Sequence, residues 1–210
     1  MKTKIKDYIK IFSNKFFSKK QCRLIINSLD DSKKSTHTFY FPRKEATTVF
    51  DKSFHQGAYT VMGKDPQVGL LQDEKKESVG NLIKDQWYKI ISAYIIDWAS
   101  QKEKMKWFMS WNGYAFPKFM EYNKATSMQK HCDHIWSLFE DNGKPRGIPV
   151  LSIITALNDN YSGGEIIMCE KYKYKLKAGE TLIFPSNFLY PHEVKKITKG
   201  TRHSMVSWVY

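Results

Sequence analysis

The chain has 210 residues, of which 41% are hydrophobic and 26% charged, and a formal net charge of +13 at pH 7. These values are ordinary for a folded domain, and they exclude a disordered tail, a collagen-like chain and a coiled coil. No apolar run approaches the ~20 residues that a membrane-spanning helix requires, so we expect no membrane partner.

The basic charge first suggests a nucleic-acid partner, because a basic surface is the usual electrostatic footprint of such proteins. Only four of the 34 basic residues are arginines, however, and arginine is the residue type on which base readout and bidentate phosphate binding most depend. Abundant lysine, isoleucine and asparagine also fit an AT-rich genome, which requires no partner. A nucleic-acid partner is therefore an alternative that the composition does not favour.

The N-terminal residues and the cysteines indicate the compartment. The chain starts with basic residues, but acids and amides interrupt it before any apolar stretch of the ~7–15 residues found in signal peptides. The three cysteines are sparse and odd in number, which does not suit a disulfide framework. We expect a cytoplasmic protein, in the host cytoplasm if the source is viral.

The first hundred residues predict helices mixed with short strands. Residues 8–12 alternate apolar and polar side chains like a strand, and Ser18 is a suitable N-cap for a helix that extends to Leu29. Residues 36–70 lack helical spacing and predict short strands and loops. Residues 73–101 carry apolar side chains at intervals of three and four after an acidic first turn, which predicts a long amphipathic helix.

Beyond Lys106 the pattern is that of short strands separated by turn sequences such as Asp141-Asn-Gly and Ser162-Gly-Gly. A run of strands without an intervening helix favours an antiparallel sandwich or barrel. We therefore predict an α+β fold with a mainly β core, namely a double-stranded β-helix (jelly roll, cupin-like) with N-terminal supporting helices. The predicted strands are 107–111, 116–122, 150–157, 165–169, 172–176, 181–184, 193–197 and 204–209.

Three residues of the β-rich half have the composition of a metal site. Side chains alternate along an extended segment, so His131 and Asp133 project to the same side. His192 follows near the start of a later strand, and closure of a barrel can bring it to the same mouth. Two imidazoles and one carboxylate on one face are the ligands of non-haem Fe(II), which keeps open positions for a co-substrate and oxygen.

Two other interpretations are open at this point. A His-x-Asp triplet with a distant histidine also occurs by chance near strand ends. His131 and His134 could form a different ligand pair, but that pair needs helical spacing and its neighbours have the character of a strand or loop. His134 therefore ranks below the other three residues.

An arginine near the C-terminus lies inside an apolar strand sequence. A buried, unpaired guanidinium is costly, so Arg202 requires an anionic partner, and its planar fork can hold a carboxylate bidentately. The hydroxyl of Ser204 is an additional donor on the same side of the strand. The alternative is a salt bridge to an acid of the protein itself, such as Glu165 or Glu193.

The candidate metal ligands and the arginine–serine pair have the order and spacing seen in a known family. They resemble the Fe(II)- and 2-oxoglutarate-dependent dioxygenases, particularly the prolyl 4-hydroxylase-like branch. Tyr122 lies where that branch commonly has a tyrosine that binds 2-oxoglutarate. Two further segments resemble the family, one ending in Gly-Gly-Glu and one leading to the distal histidine. The resemblance covers residues 122–210 well and the N-terminal part loosely, and it is carried by His131-x-Asp133, His192, Arg202-x-Ser204, Leu151–Glu165 and Ala178–Pro185.

Two departures from the family pattern point to a distant, microbial or viral type of member. Ala125 and Met128 stand where the family often has a glycine and an aromatic residue. Arg202 stands where the animal collagen prolyl hydroxylases have a lysine. Neither departure removes a ligand.

The resemblance implies a single domain over 1–210, with 1–106 as N-terminal support and 107–210 as the catalytic core. It implies that His131, Asp133 and His192 are the catalytic iron ligands. It also implies that Arg202, helped by Ser204 and Tyr122, binds 2-oxoglutarate. The cofactors implied are Fe(II), 2-oxoglutarate and O2, with ascorbate as a candidate reductant. The expected reaction is hydroxylation of an unactivated C–H bond, with succinate and CO2 as co-products.

A peptidyl proline is the substrate that the resemblance favours, which implies a protein or peptide partner. The alternatives are a free amino acid, a small metabolite or a nucleobase, and a non-catalytic binding module on the same fold. Nucleobase repair relatives usually carry a second arginine after the one that matches Arg202, and this chain has none. Residues 36–70 and 141–149 are candidate lid or groove elements, or plain connections.

The segment from Lys171 to Lys177 alternates four lysines with Tyr172, Tyr174 and Leu176. Alternation places the lysines on one face of a strand and the apolar residues on the other. A solvated sheet face backed by core residues explains this pattern better than a nucleic-acid track, and lysines also protect an exposed sheet edge from aggregation.

Overall fold

The computed structural model describes residues 4–29, 34–36, 58–61, 74–101, 113–115, 117–133 and 147–210. The N-terminal elements are a 3₁₀ helix (Ile5–Tyr8), β1 (Lys10–Phe12), α1 (Lys19–Asn27), β2 (Lys34–Thr36), β3 (Ala58–Val61) and α2 (Glu74–Gln101). The remaining strands are β4 (Lys118–Tyr122), β5 (Met128–His131), β6 (Leu151–Ala156), β7 (Ser162–Gly163), β8 (Ile166–Met168), β9 (Tyr172–Tyr174), β10 (Thr181–Pro185), β11 (His192–Val194), β12 (Ile197–Lys199) and β13 (Arg202–Val209).

The strands form antiparallel sheets. The largest has seven strands in the order β1-β10-β6-β13-β4-β3-β2, and a second has four in the order β5-β11-β8-β9. A short pair joins β12 to β7. The described part of the chain is thus mainly antiparallel β with two α-helices, as the sequence predicted.

Both helices begin close to where the sequence indicates. Ser18 caps α1: its Oγ accepts a hydrogen bond from the Gln21 backbone N–H at 3.3 Å, and Gln21 Oε1 accepts one from the Ser18 backbone N–H at 2.8 Å. This reciprocal capping box satisfies backbone donors that a helix start leaves open. The long helix begins at Glu74, one residue after the predicted Asp73.

The outer face of the seven-stranded sheet packs against the helices. Trp87 is fully buried on α2, and its Nε1–H donates to Thr155 Oγ1 of β6 at 3.0 Å. Thr155 is also 2.8 Å from the hydroxyl of Thr181 on β10, so the buried polar groups here have protein partners. The rest of this outer core is apolar, with Phe17, Ile25, Ile83, Ile90, Phe119, Ile153, Ile183, Met205 and Val209 among its members.

The inner face of the same sheet packs against the four-stranded sheet. Strand alternation sends each neighbour of an outer residue inward, for example Ile154 beside Ile153 and Leu182 beside Ile183. The inner core joins both sheets and includes Met120, Tyr122, Met128, Ala156, Ile166, Met168, Phe184 and Val194. The residues expected at a functional site extend from this inner face.

Several predicted boundaries differ from the structure. Residues 8–12 form the end of a 3₁₀ helix followed by a shorter strand. The single strand predicted for 193–197 is two strands in different sheets, with Lys195 and Lys196 between them. Strand β5 was not predicted, because Met128-Gln-Lys-His lacks the apolar alternation of a half-buried strand. The strand predicted for 107–111 lies outside the described residues.

The lysine-rich segment forms the edge strand that its pattern indicates. Within it, β9 is the outermost strand of the four-stranded sheet. Lys171, Lys173 and Lys175 are exposed, while Tyr172 and Tyr174 are half-buried against the inner core.

Two further observations concern the compartment. Cys22, Cys132 and Cys169 are free thiols. Within the described ranges, none of the helices combines the length and the apolar character that crossing a membrane demands.

Candidate metal centre

Backbone pairing brings the two histidines together. His131 is the last residue of β5, His192 is the first of β11, and the two are directly opposite in the antiparallel register. Their ring centroids are 4.3 Å apart. Asp133 follows β5 by two residues, and one ligand atom from each of the three side chains lies within 4.8 Å of the others. The predicted triad is therefore a spatial cluster.

Both imidazoles are oriented in the same way. The Nδ1 atom of His131 lies 2.7 Å from the carbonyl oxygen of Gln129, and Nδ1 of His192 lies 3.2 Å from that of Tyr190. A carbonyl can only accept, so each Nδ1 carries the proton when the ring is neutral. Each Nε2 then presents a lone pair towards Asp133, at 3.5 Å for His131 and 3.8 Å for His192. Such backbone contacts fix the tautomer and ring orientation of a metal ligand.

The carboxylate of Asp133 is anchored by the neighbouring sheet. Ser152 Oγ on β6 donates to Asp133 Oδ2 at 2.6 Å and is itself 2.6 Å from the hydroxyl of Ser186. Burial works against ionisation of Asp133, but His192, His131 and the Ser152 hydrogen bond outweigh it and hold the pKa of this carboxyl well below its usual range. The Ser152 hydrogen bond lowers the pKa of Asp133 regardless of the charge on the histidines.

His192 is held in the form that can bind a metal. Burial lowers the pKa of His192 to about 4, although the Asp133 carboxylate opposes this shift. The ring is therefore neutral near pH 7, with Nε2 free to coordinate. Two imidazole nitrogens and one carboxylate fit the facial triad of non-haem Fe(II).

Arg202 lies at the other end of the inner face. It is the first residue of β13, opposite Tyr122 of β4, and is only 2% exposed. Its Nη1 donates to Ser204 Oγ at 2.9 Å, and its guanidinium carbon lies 4.8 Å from the centroid of the Tyr122 ring. Arg202 is thus in contact with both of the other residues predicted to bind a co-substrate.

The acids that might have neutralised Arg202 are paired elsewhere. Glu165 pairs with Lys173 at 3.5 Å, and Glu193 with Lys195 at 2.8 Å. Among the residues that the structure describes, no acid forms a salt bridge with Arg202. A buried guanidinium without a protein anion is the environment that a ligand carboxylate satisfies.

The two glycines of the Gly-Gly-Glu segment make room for this arrangement. Both have positive φ, +76° at Gly163 and +67° at Gly164. A Cβ at Gly163 would lie 2.1 Å from the carbonyl oxygen of Lys196, and one at Gly164 would lie 3.2 Å from Cδ of Arg202. Backbone conformation and close packing against the arginine stem therefore both require glycine here.

The arginine pocket and the triad share one electrostatic environment. Burial raises the pKa of Tyr122, Arg202 opposes that shift, and the negative charge of Asp133 adds to it. The tyrosine hydroxyl is therefore a protonated donor at neutral pH. His134 and residues 37–57, 62–70 and 134–146, which include most of the candidate lid segments, lie outside the described residues.

Sequence reasoning missed three residues beside the centre. Ser152 binds Asp133, while Lys118 and Trp208 lie on the same strand faces as Tyr122 and Arg202. Counting by twos from Tyr122 and from Arg202 would have found Lys118 and Trp208. No sequence signal identifies Ser152, because its role depends on which strand packs beside Asp133.

Comparison with known proteins agrees with this geometry. Residues 117–210 match the model of a family described as the 2OG-Fe(II) oxygenase superfamily. A PKHD-type hydroxylase of Prochlorococcus marinus (strain MIT 9312) is 29% identical over 174 residues, which cover 79% of this chain and 68% of that protein. The chain matches other PKHD-type hydroxylases over less than half of their length.

Solved structures share the fold. A viral collagen prolyl hydroxylase from Paramecium Bursaria Chlorella virus-1, in complex with 2OG, has a TM-score of 0.59 at 13% identity, covering 96% of this chain and 95% of that one. A prolyl hydroxylase from Trichoplax adhaerens, in complex with a hypoxia inducible factor peptide fragment, has a TM-score of 0.61 at 15% identity, with 97% and 83% covered. Residues 117–210, which contain the His-Asp-His cluster, are therefore similar to the 2OG-Fe(II) oxygenase superfamily, and the cluster supports Fe(II) and 2-oxoglutarate as the cofactors.

Proposed function

We propose that this chain hydroxylates an unactivated C–H bond in a peptidyl proline. The observation that carries the proposal is the buried Arg202, which has no acid partner in the described part of the chain and lies on the inner face whose Ser152 binds Asp133 of the triad. In this proposal His131, Asp133 and His192 hold Fe(II). Arg202 binds the distal carboxylate of 2-oxoglutarate, and Ser204 and Tyr122 assist it.

Bound Fe(II) supplies the oxidising chemistry, in which O2 and 2-oxoglutarate are consumed and succinate and CO2 are released. The protein's part is orientation. The backbone carbonyls of Gln129 and Tyr190 fix the two rings, and Ser152 fixes the carboxylate. The guanidinium fork of Arg202 holds an anion bidentately, which sets the direction of an elongated dicarboxylate relative to the triad. Ascorbate is the proposed reductant that maintains the ferrous state.

The inner face also excludes water from this region. Phe184 of β10 packs edge-on to His192, with ring centroids 4.9 Å apart. Met120 and Ala156 are buried on the strands that flank Ser204. These apolar side chains leave little room for water molecules that would compete for the hydrogen bonds of the buried arginine. A carboxylate bound there therefore interacts strongly with it.

The wider arrangement is proposed on the same basis. The seven- and four-stranded sheets enclosing one inner core support a double-stranded β-helix, and the helices on the outer face support the assignment of 1–106 as structural support. We propose one domain over 1–210. A peptide substrate is supported by the solved prolyl hydroxylase from Trichoplax adhaerens, which is in complex with a peptide fragment.

The test is succinate release from 2-oxoglutarate with Fe(II) and ascorbate. Proline-containing peptides, lysine-containing peptides, free amino acids and oligonucleotides are supplied as separate probes. We expect stimulation by proline peptides. Stimulation by another probe class would replace proline as the substrate. No succinate with any probe, together with no visible charge-transfer band on anaerobic loading of Fe(II) and 2-oxoglutarate, would favour a binding module.

A further inference from the structure

A lysine lies on the inner face at the opposite end from Arg202. Lys118, Met120 and Tyr122 alternate on one face of β4, and Met120 and Tyr122 belong to the inner core. On β13 the same face carries Arg202, Ser204, Val206 and Trp208. Lys118 is paired with Val206, so Trp208 is its diagonal neighbour across the two strands.

Lys118 is stacked on that neighbour. Its Nζ lies 5.0 Å from the centroid of the Trp208 ring. The side chain is partly buried, and burial lowers the pKa of Lys118 while the carboxylate of Asp133 opposes the shift. Trp208 is paired in turn with Ser152, which binds Asp133, so the ammonium lies at the end of the sheet that contacts the triad. No acid among the described residues forms a salt bridge with it.

This position is distinct from the arginine pocket. Lys118 is paired with Val206, four residues from Arg202 along β13, which corresponds to about 13 Å at ~3.3 Å per residue. Ser152, which binds Asp133, is paired with Trp208, so the triad lies at the Lys118–Trp208 end of the inner face and away from the arginine end. Arg202 has a proposed ligand, and Lys118 does not.

A bound metal ion would increase the need of the Lys118 ammonium for an anionic partner. Asp133, bound by Ser152 on the strand beside Trp208, carries a negative charge at this end of the inner face. A divalent cation held by Asp133, His131 and His192 compensates that charge. A half-buried ammonium stacked on an indole then needs another anion for its remaining N–H donors.

We propose that Lys118, backed by Trp208, binds a carboxylate of the molecule to be hydroxylated and so determines specificity. The inference rests on the proposed function and adds a substrate class to it: the oxidised carbon belongs to a molecule with a nearby carboxylate. That carboxylate comes from an Asp or Glu side chain of a peptide, or from the α-carboxylate of a free amino acid or chain end.

The neighbouring residues form a surface suited to such a substrate. Tyr210 follows Trp208 by two residues and is 42% exposed. Burial raises the pKa of Tyr210, so its hydroxyl is a protonated donor at neutral pH. The Trp208 indole stacked on the Lys118 ammonium offers apolar area for a saturated ring beside a donor for its carboxylate.

The experiment compares matched probes that differ only in charge. One arm uses proline peptides containing Asp or Glu against counterparts with Asn or Gln, all with amidated C-termini. The other arm uses free L-proline against L-prolinamide. Succinate release gives KM for each probe, and fluorescence anisotropy of labelled peptides gives binding under anaerobic conditions. We expect the carboxylate member of one pair to have a KM at least about 10-fold lower, because a charge-assisted hydrogen bond is strong.

The variants test whether Lys118 causes the difference. Lys118→Met keeps the aliphatic stem on Trp208 and removes the charge, so the preference for the carboxylate member should disappear in both KM and anisotropy. Lys118→Arg should retain it. Lys177→Met is the matched control, because it removes one exposed lysine and the same charge without touching the inner face.

The outcomes separate this inference from the proposed function. Succinate release by the wild type without any added substrate reports the proposed function alone. If that release is present but the members of each pair behave alike, or no carboxylate probe is oxidised, the assignment of Lys118 is wrong. A preference that survives in Lys118→Met overturns it as well. If uncoupled release and the charge-transfer band are both absent, the proposed function fails and this inference fails with it.

Discussion

The two faces of the seven-stranded sheet are built from the same strands and perform different tasks. On the outer face of β6, Thr155 accepts from Trp87 and contacts Thr181, so each polar group has a partner within the protein. On the inner face of the same strand, Ser152 donates to Asp133 in the triad. Arg202 and Lys118, on the inner faces of β13 and β4, have no acid partner among the described residues.

The difference shows how strand alternation separates stability from chemistry. Polar groups on the outer face form hydrogen bonds with the helices or with each other, and apolar side chains are buried there. Both raise the free energy of unfolding. Inner residues keep charges that only a ligand can satisfy, which costs stability and provides binding. Substitutions on the two faces should therefore affect different measurements.

The largest effect is expected at the candidate metal centre, which the inner face contacts through Ser152. Asp133→Ala removes the one anionic ligand, and succinate release should fall by at least about 1,000-fold because the site loses its charge match to Fe(II). Anaerobic Fe(II) titration should show the same loss. Glu170→Ala, which removes an exposed acid paired with Lys130, is the control. Wild-type succinate production by Asp133→Ala would refute the iron assignment.

The next largest effect is expected on the outer face, and in stability. Trp87→Ala removes a fully buried indole and should lower the free energy of unfolding by about 3–5 kcal/mol. Urea denaturation followed by circular dichroism measures it. Trp87→Phe is the milder variant that should remain folded, and its succinate release per folded molecule should match the wild type. Tyr88→Ala, at a residue 68% exposed, should change neither quantity.

Arg202 tests whether an inner charge serves binding more than stability. Arg202→Met should raise KM for 2-oxoglutarate on the order of 100-fold, since it removes the buried partner of a carboxylate. Unfolding free energy should change little, because the lost guanidinium has no acid partner in the described part of the chain. Arg202→Lys should be intermediate, as it keeps the charge and loses the fork. An unchanged KM in Arg202→Met would contradict the proposed pocket.

The smallest effect is a pH dependence of the metal-free protein. The pKa of His192 is lowered to about 4 in the folded state, so below pH ~6.5 the unfolded chain binds a proton that the folded chain does not. Stability from this group is complete above pH ~6.5 and is lost progressively as the pH falls towards 4. Urea unfolding at pH 7 and pH 4.5 measures the slope. His192→Gln should flatten it, and an identical slope in that variant would contradict the shift.

Sequence reasoning was most successful where local chemistry determines structure. Ser18 as an N-cap and the apolar spacing of α2 depend on residues within a few positions of each other, and both helices are confirmed. The triad was also predictable, because His131 and Asp133 are two residues apart and His192 has a recognisable context. Their closeness in space is now observed.

The remaining features depend on pairing between distant strands. Strand β5 has a weak pattern and forms because β11 pairs with it at His192. The predicted strand 193–197 divides, because its two halves pair with β8 and β7 in different sheets. The contact between Lys118 and Trp208 depends on the register between β4 and β13, which the sequence of neither strand encodes by itself.

The Ser152–Asp133 hydrogen bond has a consequence for the fate of the protein in a cell. It joins the end of β5 in one sheet to β6 in the other, at the position where the proposed metal and co-substrate bind. Ligands bound there add contacts between two sheets that otherwise pack together through the inner core. A ligand at 100 times its Kd adds about 2.7 kcal/mol of apparent stability. Proteolytic clearance of the unliganded fraction would then make the abundance of this protein a readout of cellular iron and 2-oxo acid supply.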